Sequence, residues 1–411
     1  MPRLAALQDP RLHRALPWIC GLVAALIAAK NSIGGYGDIG IYLDVGREFV
    51  AGGIDIYRDR PNAGPWAYPH VAALPFAFLH LVASNTAARW IWSALLGLGT
   101  ALLLRATAGA LRPFGGLRPW QWLVFGVLFQ RCLAQNMTHG QLSLWVGTFV
   151  AIGIQDLVRG RDRRAGVALG LAAALKLTPL LFLLALPFQR RPRAALWMVG
   201  TIATAVLLVP WPFCGSSEHA RHLADFWRTI TGALAAGGGS SIVEAYAGPS
   251  ISGTLDYLLQ ARPVNADGNM VNLLDLSDGT LRLVRLGWSL ALAVLLGLWF
   301  LRARSYPTAQ RLALQCGAVA LAIVFYAPLV RVYHLAATML PFALFCRGPR
   351  GHRDWLWWLT ALMVLFSMTL RQRNLIGETL WRAFDAGGLL HFALVAMLVW
   401  FVRDAKFRAA Q

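Results

Sequence analysis

Residues 159–193 read RGRDRRAGVALGLAAALKLTPLLFLLALPFQRRPR. Between two arginine clusters lie residues 165–188, in which Lys176 is the one charge. Roughly 20 apolar residues suffice to cross a hydrocarbon core of about 30 Å. The same alternation of apolar run and short basic or polar turn extends outward in both directions. Residues 16–33, 88–110, 119–134, 142–158, 194–212, 281–303, 308–327, 334–346, 354–370 and 387–403 are all predominantly apolar. Hydrophobic residues make up 57% of the 411 and charged residues 14%, with a mean hydropathy of +0.53. Soluble domains are about a quarter charged. The expected fold is therefore all-α: a polytopic transmembrane helix bundle of about ten to twelve spans, forming a single integral membrane domain over residues 1–411.

The net charge of +19 does not imply nucleic acid. Its arginines cluster in turns between apolar runs, the pattern of cytoplasmic loops under the positive-inside rule. Basic stripes interleaved with stacking aromatics on a polar surface are absent. Cys20, Cys132, Cys214, Cys316 and Cys346 lie mostly in or beside apolar runs and form no CxxC pair. They read as packing residues, with no metal site or disulfide framework. Arg3, Arg11 and Arg14 precede the first apolar run and no small-residue cleavage site follows, so a retained first helix with a cytoplasmic N-terminus is expected.

Charge then orients the chain. Turns 159–164, 189–193, 302–311, 347–353 and the C-terminal RDAKFR are expected inside, and loops 34–68 and 213–280 outside. One segment, 69–83, either crosses or dips in and returns. The dip keeps the basic turn 111–118 inside and QNMTHGQ, residues 135–141, outside. It also requires 165–188 to break at Lys176, where Pro179 follows; broken helices are tolerated around a polar cavity. We adopt the dip. No repeat relates the two halves, which weighs against a transporter built from repeats.

The outer stretch 34–68, GGYGDIGIYLDVGREFVAGGIDIYRDRPNAGPWAY, holds Asp38, Asp44, Glu48, Asp55 and Asp59 in a chain with 19 acids. Carboxylates and tyrosines beside a membrane helix need water or a polar substrate. Asp38 follows the first helix closely and is the candidate general base for a hydroxyl; its alternative is an N-cap for residues 39–50. Asp44, Asp55 and Asp59 read as surface or turn residues. Tyr42 and Tyr68 of the same stretch join the substrate-binding candidates. Gly35, Gly37 and Gly40 match GxGxxG, but a membrane helix precedes them where a nucleotide site needs a strand.

Lys176 suits a phosphate, or else snorkels. Gly166 and Gly170 have the spacing of close helix packing. Arg331, Tyr333 and His334 stand between two apolar runs. Arg331 could clamp an anion and His334 could donate or accept a proton; the alternative is an interfacial anchor. In the turn 135–141, Gln135, Asn136, His139 and Gln141 suit sugar hydroxyls or a helix cap. HExxH, P-loop, GxSxG and DxD patterns are all missing.

Taken in order, these stretches resemble glycosyltransferase family 87. GDIGIYLDVGREFVAGGIDIY with WAYPHVAALPFAFL is similar to the family's D…Y…G…lY…YpP…P pattern. HGQLSLWVG resembles its GQ turn, AGVALGLAAALKLTPLLFLL its AG…KltP segment, and APLVRVYHLAATMLP its late SP…HhY…lP segment. The departures are His70 for the second proline, Ala327 for the late serine, and Tyr333-His334 for a double histidine. The resemblance implies a multi-spanning enzyme of the GT-C superfamily with its site outside the cytoplasm. It further implies a polyprenyl-phosphate sugar donor, commonly mannose, and inversion at the transferred sugar. Asp38 matches the family's loop-one acid, Lys176 its KltP lysine, and His334 its late histidine.

The expectation is a membrane glycosyltransferase that moves a hexose, by preference mannose, from a polyprenyl-phosphate carrier to a lipid or glycan hydroxyl. Its site faces the periplasm from a bacterial inner membrane, where it serves the cell envelope. Asp38 is the base; Lys176, Arg331, His334, Tyr333, Gln141, Tyr68 and Tyr42 bind donor phosphate or substrate. No cofactor, metal or nucleic-acid partner is expected. The alternative is a transporter or flippase of a lipid-linked or anionic solute; a non-catalytic scaffold is the third possibility.

Overall fold

The computed structural model describes residues 10–33, 37–58, 66, 68–235, 248–261, 270, 272–327, 330–349, 351, 353–370 and 373–403. All regular structure among them is helical, as an apolar chain without water for its backbone requires. Two compact units divide the chain. The first comprises 1–110 and 133–237, the second 111–132 and 238–411.

In the first unit, small residues let neighbouring helices approach. Pro10–Ile33 crosses Asn85–Ala110 where a Cβ on Gly21 would lie 2.6 Å from the Gly97 carbonyl oxygen. Asp162–Leu175 meets Pro192–Ala203 in the same way. A Cβ on Gly166 would lie 2.4 Å from the Ala194 carbonyl oxygen, and one on Gly170 2.6 Å from Thr201 Cβ. Van der Waals contact of this kind holds helices together where lipid removes the hydrophobic drive between them.

The expected break at Lys176 is present. The helix stops at Leu175, Lys176 is extended (φ −154°, ψ 131°), and a 3₁₀ turn Thr178–Leu180 leads into Leu181–Phe188. Pro179 explains the stop, because a proline ring collides with the carbonyl four residues earlier, here that of Leu175. Segment 69–83 forms a 3₁₀ turn His70–Ala73 and a helix Leu74–Val82, together only about 20 Å long. That length suits the dip.

Four described helices are long and apolar enough to cross a membrane: Ala15–Ile33, Asn85–Ala110, Asp278–Ser305 and Thr308–Tyr326. A fifth candidate, Pro192–Leu208 with Trp211–Gly232, is bent by 87° at Pro210, preceded by a π-helical turn Thr204–Leu208. The other apolar runs form shorter helices, so full-length spans among the described residues are fewer than the ten to twelve expected from hydropathy. The outer loop expected at 213–280 is also corrected. It contains most of Trp211–Ala235, which breaks at Gly215 (φ 75°, ψ 168°), all of Ile251–Leu259 and the start of Asp278–Arg302. Trp211–Ala235 alternates charged residues with a face that buries His219, His222 and Phe226; low mean hydropathy concealed an amphipathic helix.

The second unit packs aromatic rings. Trp299 stacks on Phe401 with centroids 4.4 Å apart. Trp288 donates to His391 Nε2 at 2.9 Å, and Trp400 donates to Asp354 at 2.9 Å. Arg131 and Gln130 donate to the carbonyls of Ser367 and Met368, which lie in a second π-helical turn, Phe366–Leu370.

Candidate active site

The site grows from the end of one helix. Pro119–His139 continues through most of the stretch expected to be the turn 135–141 and stops at Gly140, whose φ of +67° is left-handed. Gln141 N–H then returns to the Asn136 carbonyl at 2.9 Å, the bond that closes a glycine-terminated helix. That closure fixes where Gln141 leaves the backbone. Trp92 holds the turn from the side, its indole N–H donating to the Gly140 carbonyl at 2.8 Å.

Asp38 is pinned to the same turn. Its backbone N–H donates to the His139 carbonyl at 2.9 Å. Gly37 makes the approach possible: its φ is +90°, and a Cβ there would lie 2.6 Å from His139 Cα. Asp38 occupies the N-cap position of Ile39–Ala51, yet its side chain makes no cap bond. The carboxylate instead accepts from Gln141 Nε2. An ionised carboxylate only accepts, so the Gln141 nitrogen must face Asp38 and its oxygen must face away. Gln141 Oε1 accepts from the Tyr42 hydroxyl at 3.0 Å. With that proton committed, Tyr68 is the donor in the 3.4 Å contact between the two tyrosine hydroxyls. The chain of donors runs Tyr68, Tyr42, Gln141, Asp38, and each link polarises the next.

Lys176 completes the group. Its Nζ stands 5.7 Å from the centre of the Tyr68 ring, within cation–π range. The broken helix leaves this lysine half-buried at an irregular turn. Five of the candidate residues, Asp38, Tyr42, Tyr68, Gln141 and Lys176, thus belong to one connected network inside the first unit.

The remaining acids of the outer stretch are engaged elsewhere. Glu48 pairs with Arg58 at 2.8 Å and Asp44 with Arg47 at 3.1 Å. Asp55 accepts from Tyr57 N–H at 2.8 Å in a turn. Asp59 and Gly35 lie outside the described residues.

Arg331, Tyr333 and His334 lie together in the second unit. His334 Nδ1 accepts from the Arg331 backbone N–H at 3.1 Å, at the start of the 3₁₀ helix Val332–Thr338. The Tyr333 and His334 rings meet edge to face at 4.5 Å, and the Arg331 guanidinium lies 6.0 Å from the Tyr333 ring centre.

Two further features had little signal in the sequence. Trp66 and Phe76 wall the Tyr42 ring at 5.6 and 5.0 Å, and Trp92 packs on Phe76 at 4.6 Å. Trp66 stands inside the WAYP stretch, the one hint available. The second feature is histidine-rich. His70 Nε2 lies 3.2 Å from His219 Nδ1, and His222 stacks between Phe49 and His70. Burial, then the neighbouring His219 and His222 rings, push His70 down to about 3; it is neutral and can share one proton with His219. Tyr57 donates to the Tyr68 carbonyl at 3.2 Å and packs on Phe226 with ring centres 5.8 Å apart. Burial, then the Asp225 and Asp55 carboxylates, push its phenol up, so it remains a donor.

The chain is 30% identical over 175 residues to a polyprenol-phosphate-mannose-dependent alpha-(1-2)-phosphatidylinositol mannoside mannosyltransferase of Mycobacterium tuberculosis. The match covers 40% of this chain and 40% of that relative. No solved structure matches. The pattern of glycosyltransferase family 87 matches residues 66–328, a span that includes Tyr68, Gln141 and Lys176. The chain belongs to glycosyltransferase family 87.

Proposed function

We propose that this protein is a membrane glycosyltransferase that moves mannose from a polyprenyl-phosphate carrier to a hydroxyl of a membrane glycolipid or glycan. The observation that carries the reading is the network joining Asp38 to Lys176 through Gln141, Tyr42 and Tyr68. It sets a carboxylate and an ammonium at two ends of one polar group, which is what displacement at a sugar phosphate requires.

In the step we propose, one Asp38 oxygen takes the proton of the acceptor hydroxyl while Gln141 holds the other. The acceptor oxygen bonds to the sugar's anomeric carbon. The bond from that carbon to the phosphate oxygen breaks, and its electron pair leaves with the polyprenyl phosphate. Lys176 stabilises the negative charge that develops there. A single displacement inverts the anomeric centre; retention would need a second carboxylate as nucleophile. Glu48 and Asp44, the nearest acids along the helix, are bound to arginines, which favours inversion. Arg331 and His334 are proposed to bind substrate as well.

Charge supports the sidedness we propose. Asp162–Leu175 begins within the arginine cluster 159–164 and is followed at once by Lys176. The positive-inside rule puts the arginine end in the cytoplasm and so Lys176 toward the outer face, the periplasm in a bacterial inner membrane.

The test is transfer of label. Purified protein in vesicles receives radiolabelled polyprenyl-phosphate-mannose and extracted membrane acceptors. Label moving into a new lipid or glycan supports the reading. Intact donor crossing the bilayer with no sugar bond broken would make the protein a flippase and overturn it.

A further inference from the structure

The arginine end of Asp162–Leu175 carries a second feature. An open groove of about 280 Å³ lies between this helix and Ser143–Val158. Phe149, Ile152, Val167 and Leu171 line its depth. Asp156, Arg163 and Arg164 line it near the turn that joins the two helices.

Charge at this mouth is unbalanced. Asp156 faces Arg161 at 3.7 Å, and the neighbouring Asp162 is held by Arg191 at 3.0 Å. Both carboxylates are therefore offset by arginines outside the groove. Arg163 lies on the Trp197 ring at 4.5 Å, a contact that leaves its guanidinium edge available. Arg164 is exposed and has no ion-pair partner among the described residues. Two guanidiniums thus stand over an apolar cleft, with a partly exposed tryptophan beside them, as at a membrane interface.

We infer that this groove binds an anionic phospholipid, with its phosphate on Arg163 and Arg164 and one acyl chain along Phe149, Ile152, Val167 and Leu171. A guanidinium pair matches phosphate oxygens in geometry and charge, and basic pockets on the cytoplasmic side of membrane helices recruit anionic head groups. A free phosphate leaves the apolar walls uncovered. A zwitterionic lipid places a second cation against the arginines. The volume falls below the roughly 300–1,000 Å³ of pockets that enclose a whole small molecule, which suits one chain of a lipid. The site lies about 20 Å along the helix from Lys176 and does not depend on the proposed reaction.

Native mass spectrometry of the delipidated full-length protein in neutral detergent tests this. Phosphatidylglycerol, phosphatidylcholine and inorganic phosphate are added separately at equal concentration. Wild type should retain phosphatidylglycerol about tenfold better than phosphatidylcholine. The Arg163→Ala/Arg164→Ala double variant should lose that preference, and so should Arg164→Glu, which keeps the Arg163–Trp197 contact. A control with equal charge loss elsewhere, Arg190→Ala/Arg193→Ala, should keep it. Equal retention of the two lipids overturns the inference. So does a double variant that holds phosphatidylglycerol as wild type does, or equal retention of inorganic phosphate alone.

Discussion

The two candidate groups are built over different sequence distances. In the first unit, Gln141 reaches Asp38 across 103 positions and Tyr42 across 99. Their geometry exists only once Pro119–His139 has closed on Gly140 and Gly37 has let the chain touch His139. In the second unit, Arg331 and His334 are three positions apart and meet inside one turn. A local pair of that kind forms wherever the turn forms, and it also caps a helix. A long-range network is specified by several helices at once, so its side chains hold one geometry, as catalysis demands of a base and a charge stabiliser. The difference teaches that equal-looking polar residues between apolar runs are held in place by very different numbers of elements.

Substitutions can break that contrast. Asp38→Asn keeps an acceptor oxygen for Gln141 but removes the base; transfer should fall about 10³-fold, within the usual range for general base catalysis. Lys176→Met should lower kcat about 10²-fold by removing charge stabilisation, with Lys176→Arg restoring part of it; steady-state rates with the polyprenyl-phosphate donor give both. Gly37→Ala forces a side chain against His139 at a left-handed φ. It should cost about 1–3 kcal/mol, read as a lower melting temperature together with reduced transfer. Tyr42→Phe removes one link of the donor chain and leaves the Gln141 oxygen without that donor; it should slow transfer roughly fivefold and lower stability by about 1 kcal/mol, read as a small drop in melting temperature.

Much of this was legible beforehand, for physical reasons. Apolar runs and arginine turns determine helices and their ends, and Pro179 marked the break at Lys176. Gly140 and Gln141 stood in a recognisable turn. What hydropathy could not report was an amphipathic helix such as Trp211–Ala235, whose mean polarity matches a loop. His219 and His222 lay hidden there, and His70 drew notice only as a missing proline. The pairing of Glu48 with Arg58, which separates it from Asp38, depends on where residue 58 returns and has no local sign.

The central claim is that the first unit's network performs the proton transfer. Transfer rates of wild type, Asp38→Asn and His334→Ala, measured side by side in one vesicle preparation, test it most directly. The account expects Asp38→Asn to be folded and nearly inactive, about 10³-fold below wild type, and His334→Ala to stay within about tenfold of wild type. A folded Asp38→Asn that turns over at the wild-type rate, or a His334→Ala that is the more defective of the two, would contradict it.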